Sequence, residues 1–208
     1  MKAEVRVVII ANGLFPSHRK ALDLLHAADQ LICCDGAADK LIAYGLSPHM
    51  IVGDMDSVSS EVAEKFASLM VSSDDQDSND LTKAVNYCIE KGYPSVSILG
   101  ATGLREDHSL GNISLMLEYY PRIEVKMLSD YGMFFLVHSG ERVPSFVGEK
   151  ISFFSMDNRV RVTSIGLKYP LNELQLSKWY TATLNEATAD SFILKFDSTQ
   201  ALIVYRAW

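Results

Sequence analysis

The chain has 208 residues, 48% of them hydrophobic and 22% charged, a globular balance that excludes a disordered or fibrous protein. Its formal net charge is −7, with no run of Lys and Arg, which argues against nucleic acid held through its backbone. So acidic a protein repels a phosphate-bearing substrate unless divalent cations intervene, so a metal-dependent site is worth seeking.

Residues 5–11 form a continuous apolar run that ends at Asn12-Gly13, as a buried parallel strand does. Residues 18–28 read as a helix, 31–34 as a strand ending at Asp35-Gly36, and 37–44 as a helix stopped by Gly45. A short strand at 50–52 ends at Gly53, followed by a helix at 61–66 and a strand at 69–72. Leu81, Ala84, Val85, Cys88 and Ile89 have the spacing of a buried helical stripe, ended by Gly92 and Pro94. A strand at 96–99 ends at Gly100, Leu110, Ile113 and Leu117 mark another helix, and 123–128 is the last strand of the set.

Strands alternating with helices predict a doubly wound, mostly parallel α/β sheet for residues 1–130. The pattern then changes. Segments 134–138, 142–146, 150–155, 160–166, 180–184, 191–196 and 201–206 read as strands, punctuated by Gly140, Gly148, Asp157-Asn158 and Asp197-Ser198. They predict a small antiparallel β-sandwich over residues 131–208.

Cys33, Cys34 and Cys88 are an odd set without a Cys-x-x-Cys, so neither a disulfide framework nor a four-Cys zinc site is expected. They read as buried thiols of a reducing compartment. The 5–11 run, with Glu4 and Arg6 at its start, is too short for a signal peptide, and no segment is long enough to span a membrane. A cytoplasmic location is expected.

In an open parallel sheet, ligands bind outside the carboxyl ends of the strands. Four consecutive loops there carry at least seven aspartates. In Gly53-Asp54-Met55-Asp56-Ser57 the two carboxylates can turn toward one point, and magnesium needs only one or two carboxylates plus substrate phosphates. A polar turn with Ser57 capping the next helix is an equal alternative for this loop alone. The Asp74–Asp80 run is either a solvated loop with Ser78 or Asn79 as helix cap, or part of a metal and substrate site. A calcium EF-hand is excluded, because Asp80 stands where Gly is required and Asn86 where Glu is. In Gly100-Ala101-Thr102-Gly103-Leu104-Arg105-Glu106-Asp107-His108 the glycines free backbone amides, the next helix offers its N-terminus, and Arg105 offers a fork for phosphate. Asp107 reads as a third metal ligand or an N-cap, and His108 as a ligand or an ordinary helix residue. There is no P-loop, no dinucleotide Gly-x-Gly-x-x-Gly and no nucleophile elbow.

Taken in order, these loops resemble the thiamin pyrophosphokinase family. Asp35-Gly36-Ala37-Ala38-Asp39 is similar to its Asp-Gly-Gly-Ala-Asn, and Gly53-Asp54-Met55-Asp56-Ser57 to its Gly-Asp-Phe-Asp-Ser. Asp75-Gln76-Asp77-Ser78-Asn79-Asp80 resembles its Asp-(Lys or Gln)-Asp-x-Thr-Asp, and the loop 100–108 resembles Gly-Ala-Thr-Gly-Gly-Arg-x-Asp-His. Gly166-Leu167-Lys168-Tyr169-Pro170-Leu171 and Asn185-Glu186 resemble its two C-terminal motifs. The resemblance implies an α/β catalytic domain, a thiamin-binding and dimerising sandwich, and a homodimer with thiamin between subunits. It implies transfer of a pyrophosphoryl group from ATP to the thiamin hydroxyl, releasing AMP, with Mg2+ as cofactor. Asp54, Asp56 and Asp80 then stand as catalytic and metal residues. Asp35, Gly36, Gly100, Thr102, Gly103, Arg105, Asp107, His108 and Asn112 stand at ATP. Gln76, Asp80, Leu184 and Asn185 stand at thiamin. Asp80 is the expected acceptor of the hydroxyl proton. The chain departs from the pattern at Ala37 and Leu104, each for Gly, at Asn79 for Thr, and at Leu184 for Ser, the last removing a polar group from the implied thiamin pocket. The competing readings are another magnesium-dependent nucleotidyl- or phosphotransferase, and a non-catalytic nucleotide- or thiamin-binding module.

Overall fold

Apolar runs of four or five residues with no polar alternation have to be covered on both faces, and the fold does this for the central strands. A computed structural model describes residues 5–72, 75 and 77–208. The chain divides into two compact units, Met1–Asp130 and Tyr131–Trp208.

In the first unit, β1 (Val7–Ile10), β2 (Gln30–Cys34), β3 (Met50–Gly53), β4 (Met70–Ser72), β5 (Ser95–Leu99) and β6 (Glu124–Leu128) lie in the order β6-β5-β1-β2-β3-β4. Every pairing is parallel. The helices are α1 (Arg19–His26), α2 (Ala37–Ala43), α3 (Ser60–Lys65), α4 (Asp80–Glu90) and α5 (Glu106–Tyr119). Val8, Ile9 and Ile10 of β1 have no exposed surface. The stripe read from the sequence is the buried face of α4, with Leu81, Ala84, Val85 and Cys88 inside. Asn79 caps α4, its side chain accepting from the Thr82 amide, and Ser59 rather than Ser57 caps α3. Because the chain runs outward from β1 through β2 to β4 and then returns to β5, a topological switch point lies between β1 and β5.

In the second unit, β7 (Gly132–Val137), β8 (Arg142–Pro144), β9 (Lys150–Phe154), β10 (Arg161–Ile165), β11 (Leu174–Gln175), β12 (Asn185–Glu186), β13 (Ser191–Phe196) and β14 (Leu202–Ala207) form two antiparallel arrays. One has the order β12-β9-β14-β7 and the other β11-β10-β13-β8. Val137, Phe153 and Val204 from the first and Val162, Phe192 and Leu194 from the second share one apolar core. The strand expected at 180–184 is a correction: those residues turn. The Thr181 amide donates to the Lys178 carbonyl, the Thr183 hydroxyl donates to the Tyr180 carbonyl at 2.9 Å, and Leu184 has φ +59°. Local side-chain bonding outcompetes the ladder here, which begins only at Asn185.

Candidate active site

The carboxyl ends of β2 and β3 bring Asp35, Asp54 and Asp56 together. One ligand oxygen from each lies within 4.8 Å of the other two. The turn that follows β2 puts Asp35 at φ +42°, and its amide donates to the Val52 carbonyl, locking it beside β3. At Gly53 a side chain would stand 2.9 Å from the Asp35 Cβ and 3.3 Å from an Asp80 carboxylate oxygen, so only glycine lets these loops close. Asp35 is 2% exposed. Its Oδ2 accepts from the Ser57 amide at 3.2 Å, while its Oδ1 is buried with no hydrogen-bond partner. Burial pushes its pKa up to about 6, with the Ser57 amide opposing and the Asp56 and Asp80 carboxylates adding to the rise. Asp56 is held low by the Ser57 hydroxyl, which donates to it at 2.8 Å, and by Asp35. A buried carboxylate with one oxygen lacking a donor, clustered with two further carboxylates, is a set of hard oxygen ligands suited to magnesium.

Asp80, the first residue of α4, is not in this trio. Its Oδ1 accepts from the buried Lys83 ammonium at 3.2 Å. The Asn79 amide donates to Asn112 at 3.2 Å, and Asn112 donates to the Ala101 carbonyl at 2.8 Å. These bonds tie the N-terminus of α4 to α5 and to the loop after β5. That loop also runs against the segment after β1, with the Gly13 amide donating to the Gly100 carbonyl and the Leu14 amide to the Thr102 carbonyl. Lys40 clamps the same segment, donating to the Asn12 and Gly13 carbonyls at 2.8 Å each.

A cleft of about 390 Å³ opens at the switch point. Asp80, Thr102, Arg105, His108 and Asn112 all line it. Of the other positions expected at the nucleotide, Gly36 packs under the Ser57 carbonyl, and Gly100 and Gly103 shape the loop at φ +68° and +94°. Asp35, expected at the nucleotide, meets Asp54 and Asp56, and Asp80, expected with that pair at the metal, lies beside the trio, paired with Lys83. Asp107 is neither in that trio nor an N-cap: it lies in the first turn of α5, where it receives two bonds from Arg105, at 3.1 and 2.6 Å. The guanidinium holds its carboxyl down at about 2. Gln76 lies outside the described residues. Leu184 and Asn185 lie in the second unit. Leu184 is 80% exposed, whereas Asn185 is buried. The Asn185 amide accepts from the Tyr169 amide and donates to the Tyr169 carbonyl, so it clamps the loop 166–171. Sequence reasoning missed Lys83, Lys40 and the Asn79–Asn112 bridge. The first carried a signal, an acid and a base three residues apart at the start of a helix.

Carboxylates, glycine-turned amides and an arginine at the switch point of a parallel sheet define an α/β enzyme that handles a phosphorylated nucleotide. The comparisons narrow this class. Residues 21–127 match the family model described as "Thiamin pyrophosphokinase, catalytic domain", and residues 132–205 match "Thiamin pyrophosphokinase, substrate-binding domain". Thiamin pyrophosphokinase 1 of Caenorhabditis elegans is 26% identical over 196 residues, covering 86% of this chain and 80% of that protein. Thiamine pyrophosphokinase 1 of Oryza sativa is 29% identical over 201 residues, covering 82% and 75%. The crystal structure of thiamine pyrophosphokinase from Bacillus subtilis superposes with a TM-score of 0.80 at 25% identity, covering 97% of this chain and 98% of that one. The chain belongs to the thiamin pyrophosphokinase family, enzymes that transfer a pyrophosphoryl group from ATP to thiamin.

Proposed function

We propose that this transfer takes place at the switch-point edge of the first unit, with the Asp35–Asp54–Asp56 trio, and Asp80 beside it, holding magnesium against the ATP phosphates. A buried Asp35 carboxylate with one unpartnered oxygen, clustered with two further carboxylates, is the observation that carries this reading. When bound, the ion supplies charge neutralisation between an acidic edge and an anionic substrate. The chain's own groups do the positioning. The loop Gly100–Arg105 presents amides turned by its glycines, α5 directs its N-terminus at negative charge, and Arg105 offers a two-pronged donor to a phosphate. Asp107 keeps that fork oriented in the absence of substrate.

The thiamin hydroxyl oxygen attacks the β-phosphorus of ATP, the bond from that phosphorus to the oxygen shared with the α-phosphate breaks, and AMP leaves. The hydroxyl proton passes to Asp80, which lines the cleft. Such a transfer depends on alignment and charge more than on covalent help from the protein. We assign Leu184 and Gln76 to the thiamin pocket on the family resemblance, and Asn185 to the support of that pocket. The second unit exposes Phe146, Val147, Ile165 and Trp179, which supports a homodimer formed through it. Three unbridged buried thiols support a reducing, cytoplasmic setting.

Phosphorus NMR of the protein with ATP, magnesium and thiamin tests the reaction. Thiamin diphosphate and AMP without free pyrophosphate is the expected result. Free pyrophosphate with a nucleotidyl product indicates a nucleotidyltransferase, and binding without turnover indicates a binding module. Sedimentation velocity tests the dimer, and a single monomeric species refutes it.

A further inference from the structure

A lysine on the sheet-facing side of a helix is unusual, because burying an ammonium is costly unless it is paired. Lys83 is 7% exposed, on the same helix as the buried Leu81, Ala84 and Val85. Its ammonium stands 3.2 Å from an Asp80 oxygen. That carboxylate in turn lies against Gly53, where β3 delivers Asp54 and Asp56, and the field of Lys83 reaches Asp56 and Asp75 as well. The one buried lysine among the described residues therefore sits at the back of the acidic edge, where four carboxylates converge.

We propose that Lys83 is a positioning residue that acts as the resident cation of this edge. It neutralises part of the carboxylate charge, competes with a divalent ion for Asp80, and so keeps the affinity for free metal low. The ion then enters with the nucleotide phosphates, which bring the negative charge that outweighs the lysine. This rests on the metal reading above. It gives Lys83 a signature opposite to that of a structural residue. Loss of a structural lysine would loosen the trio and weaken metal binding, whereas loss of a competing cation tightens it.

Mn2+ binding without nucleotide, followed by electron paramagnetic resonance, reads this directly. K83M should bind Mn2+ about tenfold more tightly than the natural chain, the equivalent of about 1.4 kcal/mol. K83R, which keeps the charge, should stay within about threefold of the natural chain by the same argument. In the double variant K83M/D80N the gain should vanish relative to D80N, because it works through Asp80. Should K83M not fold, K83Q carries the same expectation, since Gln still donates to Asp80 without a charge. Equal or weaker Mn2+ binding in folded K83M or K83Q overturns the proposal while leaving the metal site standing. A gain that survives in K83M/D80N overturns the Asp80 route. No Mn2+ binding by the natural chain or any variant overturns the metal reading itself, and this proposal with it.

Discussion

Replacing Asp35 by Asn keeps the shape of the carboxylate trio and removes one charge, which separates what Asp35 does for function from what it costs the fold. Asn tolerates the left-handed φ of +42° as well as Asp does, and its carbonyl can still accept from the Ser57 amide. The charge is what disappears. In the metal-free fold the Asp35 carboxyl titrates at about 6 against 3.8 when solvated. At 1.36 kcal/mol per pH unit, keeping it ionised in the fold costs at most about 3 kcal/mol, and relaxation of Asp56 reduces this to about 1–3 kcal/mol. Between pH 3.8 and about 6 the folded chain holds a proton at Asp35 that the unfolded chain has released. The natural protein therefore loses stability from this group as the pH rises through that window, and the loss is complete above it. D35N should be more stable than the natural chain at pH 8 in EDTA, by about 1–3 kcal/mol in urea denaturation, and the advantage should close by about pH 4. Added Mg2+ should reverse the order, stabilising the natural chain and not D35N. A D35N advantage independent of pH, or none at pH 8, refutes the assignment of a strained ionised carboxylate.

Three further substitutions divide the remaining roles. D80N should lower turnover by about a hundredfold or more while circular dichroism stays unchanged, and near-normal activity would sink Asp80 as the proton acceptor. R105K replaces a planar fork by a point charge, so the KM for ATP should rise about tenfold with a smaller change in kcat. Its stability should stay essentially unchanged, because the pair with Asp107 is exposed and screened by solvent. N112A leaves the buried Ala101 carbonyl without its donor and frees the Asn79 amide, so urea denaturation should show a loss of about 1–3 kcal/mol together with weaker ATP binding.

The elements of the first unit were legible because burial on both faces leaves unbroken apolar runs, as in Val7–Ile10, and because α4 carries a regular stripe. Helix caps were half legible. Asn79 was one of two candidates for α4, while the Ser57 expectation missed because Ser57 engages Asp35 and Asp56 and Ser59 takes the cap. The gathering of aspartates at one edge followed from topology alone. Which of them meet did not, because that depends on backbone that no pattern announces: left-handed turns at Asp35 and Met55 bring the ends of β2 and β3 to a common point. Lys83 was missed for a related reason. Its position beside the apolar stripe looks like a solvated face until the carboxylates behind it are known.

Four residues other than glycine have left-handed backbone among those described: Asp35, Met55, Glu173 and Leu184. Each costs on the order of 1–2 kcal/mol relative to an ordinary conformation. Glu173 has a local account, since its side chain and amide both bond the Thr163 hydroxyl across a turn. Asp35 and Met55 shape the carboxylate trio, and Gly at 35 would remove one of its carboxylates. Leu184 stands apart. Its side chain is 80% exposed, so packing within its own unit does not compensate the strain. What fixes it is polar: its amide donates to the Ser152 hydroxyl, and the next residue clamps Tyr169. The strain is thus held by a half-buried amide bond and displayed on an exposed apolar side chain, the kind of outlier that points to a functional surface rather than to the packing of its own unit.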